Sequence, residues 1–476
     1  MKDLFRHPDF RRGAAHAVAI AVLAVPVFPA AAQPRTYDNV VSDEPLQGGS
    51  PGVEPLEGPT DSDPPEPPEG DAEGREWFGV ADAKPFYEWE RVLGDLGGVR
   101  TDLEERGLSF GAAIVLEGSQ VFDGGIEMED SYRTLFTFDI ALDTDAAFEL
   151  PGGTLFAQYL SVTAENGGSA DVGDIQVTSN IENDRSLDTI YELWYEQLLL
   201  DDRLRIKVGK VGANSEFAFV APLTLFSAAG ELANSSAGFT PTIVGFPSYP
   251  DPATSINVFV SPYRDDNLNL SVGYGFYDGA AGVDGVTTGS RGPSTFFDDD
   301  QSDDYFHIAE VQLGWQQLGD LSFGSVSVGG WHHTGDFETF DGGQDEGTSG
   351  IYATIEQRLA AATDDEEAAD GLYVFGQFGL ADGDVSEVEQ HYAAGLVYAG
   401  LGSFRPDDAV GVYASYVDLS DAAGFEEDET VIEGFYRLQI TPAILLQPGV
   451  QYVLNPSGDP DIDNALVGSL RLGISF

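Results

Sequence analysis

The sequence predicts an all-β fold, a 16-stranded antiparallel outer-membrane β-barrel with a short N-terminal periplasmic helical segment. Three observations predict it. Many runs of about ten residues alternate apolar and polar side chains, so each strand has one apolar and one polar face. Sixteen such runs, an even number, begin at Leu108. The connections between the runs alternate between short turns and long loops, which is typical of the two ends of a membrane barrel.

The alternation is clearest over residues 431–476. Ile432 and Ile440 fall on the apolar parity of the first run, and Glu433 and Arg437 fall on its polar parity. A soluble antiparallel sheet shows the same alternation, with the apolar side as its core. This chain, however, ends its last run on an aromatic residue, Phe476. A terminal aromatic resembles the final-strand signal of outer-membrane barrels, so we expect the barrel assembly machinery to be a partner.

The connections between the runs support the barrel more strongly than any single run. Tight turns at 201–203, 264–267, 318–320 and 441–443 alternate with long loops at about 164–187, 213–254, 278–304, 334–349, 420–430 and 456–463. Two connections on the short side, near 144–153 and 360–370, are longer than ideal. A soluble β-sandwich or propeller does not require this alternation. The runs themselves are roughly 108–120, 132–143, 154–163, 188–200, 204–212, 255–262, 268–277, 305–317, 321–333, 350–359, 371–380, 390–399, 409–419, 431–440, 444–455 and 464–476.

Three segments precede the barrel, which is expected over 108–476. Residues 1–32 combine basic residues, a short apolar run and a small-residue stretch, which indicates a secretory signal peptide. Residues 33–76 are rich in Pro, Glu, Asp and Gly and predict a disordered acidic spacer. Residues 77–107 predict a periplasmic helical segment that ends at Gly107.

The composition excludes several classes of function. The formal net charge is -59 with 22 Lys and Arg in 476 residues, so nucleic acid is not an expected partner. The absence of cysteine excludes disulfides and thiolate metal sites. The acidity has two interpretations, a solvated acidic shell or divalent cations bound by loop carboxylates such as those at 298–300 and 303–304. No spacing matches a known calcium loop, and we expect neither a cofactor nor a metal.

Sixteen strands close around a water-filled channel, so the polar parity should face the lumen. The alternation predicts a lining of mixed acids, bases and amides, which can exchange hydrogen bonds with sugar hydroxyls. The alternative is that these groups only solvate the lumen and pair across strands. The candidate pore-lining residues are Glu192, Glu196, Arg205, Lys207, Glu310, Gln312, Glu356, Arg358, Glu433, Arg437, Gln447, Gln451 and Arg471.

The longest connection, at about 213–254, is rich in apolar side chains such as Phe217, Phe226 and Phe246. Such a segment is too apolar for a free surface loop, so it should tuck into the barrel or pack against its mouth. We predict that it narrows the lumen. Its competing interpretation is an oligomer contact, since the sequence allows a monomer or a homotrimer.

Over roughly residues 89–476 the chain resembles the OprB family of carbohydrate-selective porins. Four segments carry the resemblance: 96–107 (LGGVRTDLEERG), 194–217 with WYEQ and DDRLRIKVGK, 436–456 with YRLQITP and QPGVQYVLNP, and 464–476. The resemblance implies a sixteen-stranded porin in the outer membrane of a diderm bacterium. It also implies that small sugars cross its lumen by passive diffusion and that outer-membrane lipid surrounds it.

Other functions remain open at the level of sequence. The closest alternative is a general or cation-preferring diffusion porin, because focused negative potential raises local cation concentration. A barrel enzyme would need a nucleophile, a histidine and an acid. His307, His332, His333 and His391 lie in no such motif, and the adjacent pair points to opposite faces, so we expect no catalysis and no metal site there. A purely structural barrel would need a sealed lumen.

Overall fold

A computed structural model describes residues 86–163, 168–183, 185–218, 242–265, 267–279, 296, 304–319, 321–362, 370–402 and 405–476. Its sixteen strands form one closed antiparallel barrel in which each strand pairs with its chain neighbours and β1 pairs with β16. The predicted fold class is confirmed. The strands are β1 (Leu108–Gly125), β2 (Asp130–Asp143), β3 (Gly153–Thr163), β4 (Leu187–Leu199), β5 (Leu204–Val211), β6 (Ala253–Arg264), β7 (Leu268–Asp278), β8 (Tyr305–Leu318), β9 (Leu321–Glu338), β10 (Gln344–Ala361), β11 (Gly371–Ala381), β12 (Val388–Ala399), β13 (Ala409–Leu419), β14 (Glu429–Thr441), β15 (Ile444–Leu454) and β16 (Asp463–Ser475).

Helical structure is minor in the described part of the chain. It comprises α1 (Val99–Glu104), α2 (Thr144–Phe148), α3 (Ser169–Val172) and short 3-10 turns such as Phe86–Glu88. None of these helices is long and apolar enough to cross a membrane. The signal peptide and spacer predicted for 1–76, and residues 77–85 of the predicted helical segment, lie outside the described residues.

The two faces of the sheet are inverted relative to a soluble protein. In β14, Val431, Glu433 and Phe435 are buried, with Glu433 at 0% exposure, whereas Ile432 and Ile440 are 41% and 50% exposed. The same alternation runs through the neighbouring strands, so buried carboxylates and amides face inward and exposed aliphatic residues face outward. An apolar outer face with a polar inner face suits surrounding lipid and contradicts a soluble sandwich.

One predicted connection is wrong. The stretch 334–349 was expected to be a long loop, yet β9 and β10 continue to Glu338 and Gln344 and leave a turn of 339–343. Here the strands rise beyond the apolar band, where neither face must be apolar, so the alternation that marks a strand disappears. A register shift between Glu346 and Thr348 accompanies a positive φ of 82° at Gly347, which bends the extension.

The barrel closes where β1 meets β16. The backbone N–H of Phe476 donates to the carbonyl of Ala112 at 2.9 Å. Beyond the end of β16, β1 would expose further carbonyls, and the guanidinium of Arg100 donates to the carbonyl of Phe110 at 2.6 Å. Arg100, in α1, thus supplies a hydrogen bond that β16 is too short to make.

The barrel has two unlike ends. The connections of the long-loop end include 164–186, 212–252 and 279–304, and those of the short-turn end include 200–203 and 442–443. Both the segment before β1 and the carboxy terminus lie at the short-turn end. In an outer-membrane barrel this end faces the periplasm.

Candidate functional site

The thirteen candidate pore-lining residues all lie on the inward parity of their strands. Ten of them are buried, and Arg205, Gln312 and Arg358 are half-buried. Contact of any of them with substrate stays a prediction. The structure shows that most of them are held in groups, either by partners on neighbouring strands or by connections that fold into the barrel.

The first group, the Lys207 cluster, contains Glu196, Arg205, Lys207 and Glu216. Arg205 lies 3.0 Å from Glu196 and 2.7 Å from Glu216. The ammonium of Lys207 lies 3.4 Å from Glu196 and 2.5 Å from Glu216. Two acids and two bases therefore neutralise each other in a buried setting. Glu216 follows β5, so the cluster fastens the start of the β5–β6 connection to the wall.

Aromatic rings complete this cluster. The ammonium of Lys207 lies 4.0 Å from the centre of the Trp194 ring, and the guanidinium of Arg205 lies 4.0 Å from that of Phe259. Both distances suit cation–π attraction. Burial disfavours the charged form of Glu216, but Arg205 and Lys207 outweigh it and hold the pKa of that carboxyl below its usual value.

The second group, the Glu117 cluster, contains Glu117, Arg133, Glu182 and Arg471. Glu117 lies 3.3 Å from Arg133 and 2.7 Å from Arg471, and Arg133 lies 2.8 Å from Glu182. Only Arg471 was among the candidates. Glu117 and Arg133 sit on the inward parity of β1 and β2, so the alternation used for the other strands could have identified them.

The β3–β4 connection folds into the barrel, which sequence reasoning did not predict. The carboxylate of Glu429 in β14 accepts the N–H groups of Ile175 and Gln176 at 2.8 and 3.0 Å. The Gln451 amide donates to the Thr178 carbonyl at 2.9 Å. These contacts run along the wall from β14 to β16. The available signal was the apolar content of this connection, since Val172, Ile175 and Ile181 are all buried.

The β5–β6 connection, predicted to narrow the lumen, lies inside the barrel wherever it is described. Ile243, Phe246 and Tyr249 are at most 2% exposed. The Tyr249 hydroxyl donates to the carbonyl of Ile181 at 3.2 Å, which joins the two inward connections. Residues 219–241 of the predicted constriction, Phe226 among them, lie outside the described residues.

Tyr191 departs from the simple alternation of β4. Alternation with Glu192 would place Tyr191 on the outward face, but it is 1% exposed and its ring lies 6.2 Å from that of Tyr249 inside the barrel. The pairing of β3 with β4 shifts register between Gln158 and Tyr159. Such a bulge adds one residue to β4 and turns its side chain to the other face.

The remaining candidates lie on the other walls. Glu310 accepts the N–H of Ala218 at 3.0 Å and the hydroxyl of Tyr352 at 2.8 Å, and Glu433 accepts the hydroxyl of Tyr413 at 3.0 Å. Of the loop acids considered for cations, 298–300 and Asp303 lie outside the described residues. At the long-loop end, Glu127, Glu129 and Asp171 bring three carboxylates within 4.8 Å of one another.

This geometry offers hydrogen-bond donors, hydrogen-bond acceptors and aromatic faces along the described inner wall. Each of the two charged groups joins two acids to two bases. Such a wall suits neutral, hydroxyl-rich molecules.

This chain is similar to one protein family, to individual relatives and to a solved structure. The family described as "Carbohydrate-selective porin, OprB family" matches residues 128–476. The chain is 22% identical over 450 residues to Porin B of Pseudomonas aeruginosa, covering 82% of this chain and 92% of that protein. It is 23% identical over 446 residues to the putative porin QuiX of Acinetobacter baylyi, covering 83% of this chain and 95% of that protein. A structure of Pseudomonas putida OprB at high pH superposes with a TM-score of 0.69 at 19% identity, covering 83% of this chain and 100% of that one.

Proposed function

Because the chain belongs to the OprB family of carbohydrate-selective porins, we propose that its charge-paired lumen selects small neutral sugars during passive diffusion. The protein is an outer-membrane porin of a Gram-negative-type (diderm) bacterium, and its family consists of channels rather than enzymes. The inner wall, with the two inward connections, sets both the width of the path and the groups a solute meets.

Charge pairing is the observation that carries this proposal. In the Lys207 cluster and the Glu117 cluster, acids and bases within 2.5 to 3.4 Å of each other cancel. A lumen with a single-sign field would favour ions of the other sign, whereas a neutral polar wall favours hydroxyl groups. The candidate residues Gln312, Gln447 and Gln451 add uncharged amide groups to this wall.

Swelling of liposomes containing the porin tests the proposal with solutes of matched size. Glucose is neutral, gluconate is an anion and glucosamine is a cation of similar dimensions. We expect glucose to enter at least several times faster than either ion. Equal rates for all three would contradict selection by the lumen and indicate a general porin.

A cation-preferring porin is the second candidate function, and two observations favour it. The chain has a formal net charge of -59, and the Glu127, Glu129 and Asp171 carboxylates converge at the long-loop end. Negative potential at the mouth would concentrate cations. In the swelling experiment this function predicts that glucosamine enters fastest and that high salt removes its advantage.

Two partners besides the sugar belong to the proposal. Lipid of the outer membrane contacts the exposed apolar face, and the barrel assembly machinery recognises the final strand through Phe476. Deletion of Phe476 should lower the amount of porin assembled in the outer membrane, whereas a Phe476→Tyr variant, which keeps the aromatic ring, should assemble normally. The functional unit is a monomer or a homotrimer, which mass measurement in detergent distinguishes.

A further inference from the structure

Four inward-facing positions on neighbouring strands form a continuous row in the half of the barrel nearer the short-turn end. Asn269 on β7 pairs with Gly314 on β8, Gly314 pairs with Ser325 on β9, and Ser325 pairs with Glu356 on β10. Directly paired residues of antiparallel strands point to the same face. Glu310, Gln312 and Gly314 share one parity of β8, and Glu310 contacts the inward β5–β6 connection, so this face is the lumen.

The polar groups at the two ends of this row have no partner. Both carboxylate oxygens of Glu356 lack a hydrogen bond, and so do the amide nitrogen and oxygen of Asn269. Glu356 is 1% exposed and Asn269 is 8% exposed. Other inward carboxylates differ, since Glu310, Glu429 and Glu433 each accept at least one described hydrogen bond. A carboxylate buried without a donor is costly unless a ligand or water supplies one.

Space is available between these unpartnered groups. A Cβ atom added to Gly314 would meet no heavy atom within 4 Å. The neighbouring rings lie over other glycines, because Tyr352 covers Gly329 and Phe375 covers Gly395. Ser325, beside Gly314, is only half-buried. The row therefore forms a recess on the inner surface of the barrel, with hydrogen-bonding groups at both ends.

We propose that this row, the Gly314 subsite, is a point at which the porin binds a sugar. The inference rests on the proposed function and names residues that would select the solute. Glu356 accepts hydrogen bonds from two hydroxyl groups, and the amide of Asn269 both donates and accepts. Three strand spacings of about 4.8 Å place the two ends about 14 Å apart, room for a sugar to lie across Gly314.

A cation is a less suitable occupant. Hard cations bind several oxygen ligands and favour more than one carboxylate. Here Glu356 is the only carboxylate among the four residues of the row, and the Asn269 amide at the other end, about 14 Å away, is too distant to bind the same cation. Hydroxyl groups, which donate and accept, match both ends.

Glu356→Gln and Asn269→Ala test the subsite in single channels titrated with glucose. The first variant keeps the shape of the side chain but replaces one acceptor oxygen with an amide nitrogen that can only donate. We expect the glucose concentration for half-maximal block to rise about tenfold, the change expected from losing one hydrogen bond. Glu338→Gln makes the same exchange at an exposed position on β9 and should leave glucose block unchanged.

Gly314→Leu provides a second test that does not depend on a charge. The added side chain would fill the open space and exclude the sugar, so saturable block should be lost while ions still pass. Gly111→Leu is the matched control. Gly111 also lies on an inward parity with no atom within 4 Å of an added Cβ, on β1 away from the row.

The outcomes separate this inference from the proposed function. If wild-type porin shows no saturable block by glucose, the proposed function fails and the subsite fails with it. If the wild type is blocked but Glu356→Gln and Gly314→Leu are blocked at the same concentrations, only the subsite is overturned. A change in ion selectivity without any change in glucose block would likewise overturn it, because the row would then bind cations.

Discussion

At the scale of single residues, the Lys207 cluster shows how buried charges are balanced by specific partners. Lys207 and Arg205 lie between the same two carboxylates, and the side chain of Lys207 is only 2% exposed. Desolvation makes such groups costly unless every charge is paired. Through the same ion pairs, Glu216 also holds the start of the β5–β6 connection against the wall.

Replacing Glu216 with Gln should destabilise the porin. Removing one partner of a buried ion pair costs about 3–5 kcal/mol, and we expect the lower end because Glu196 still pairs with both bases. Urea unfolding of the porin in liposomes measures this. The double variant Glu216→Gln with Lys207→Met, which leaves one acid, Glu196, with one base, Arg205, should recover part of the loss. A Glu216→Gln porin as stable as wild type would show that Glu216 contributes little to holding the connection.

The β3–β4 connection should respond to pH through Asp174. Burial, aided by the negative charge of Glu429, raises the pKa of Asp174 from 3.8 to about 8, against hydrogen bonds that lower it. The docked connection therefore binds a proton that the undocked one releases, so docking is favoured at low pH and weakens as pH rises from about 4 towards 8. Burial likewise raises the pKa of Glu182 to about 7, although Arg133 opposes it, which adds to the same trend.

Single-channel recordings between pH 5 and pH 9 check this expectation. Current fluctuations of wild-type porin should grow as the pH rises, because the connection leaves the wall more often. Asp174→Asn, which cannot ionise at this position, should show a smaller change. Fluctuations that grow equally in both proteins would contradict the role of Asp174.

At the scale of elements, the inward connections depend on a few strand residues. The carboxylate of Glu429 accepts three backbone N–H groups, those of Ile175, Gln176 and Ser457, at 2.7 to 3.0 Å. One side chain on β14 therefore fixes both the β3–β4 connection and the β15–β16 connection. Its removal leaves three donors without a partner.

We expect Glu429→Ala to release the β3–β4 connection while leaving the barrel intact. Hydrogen–deuterium exchange followed by mass spectrometry reports on the amides of 175–178, which should exchange at least tenfold faster than in wild type. Peptides from β10 and β11 should be unaffected. Glu346→Ala, at an exposed position on β10, is the control. Unchanged protection at 175–178 would mean that other contacts hold the connection.

Strands and connections differ in how far the sequence predicts them. Ile432 and Glu433 reveal their faces because lipid lies on one side of the sheet and water on the other, so periodicity alone suffices. The inward course of 168–183 rests on contacts with Glu429, Gln451 and Arg471, more than 250 residues away along the chain. No local pattern encodes such contacts. The sequence does not reveal the inward position of Tyr191 for a similar reason, because its bulge arises from pairing with β3.

At the scale of the whole molecule, the two faces of the barrel differ in chemistry. The outer face presents exposed aliphatic and aromatic side chains to lipid, and the inner face holds the acids, bases and amides. The chain has a formal net charge of -59, but the two main ionic groups on the described inner wall each pair two acids with two bases. Such pairing is consistent with the selection of neutral sugars by a strongly acidic porin.

Glucose titration of single-channel ion current in a planar bilayer tests the central claim most directly. A lumen that selects sugars holds them briefly, so glucose should block the current saturably, and a polyol of the same charge, such as sorbitol, should block much more weakly. Ion current that flows without any saturable block by glucose would contradict a sugar-selective lumen.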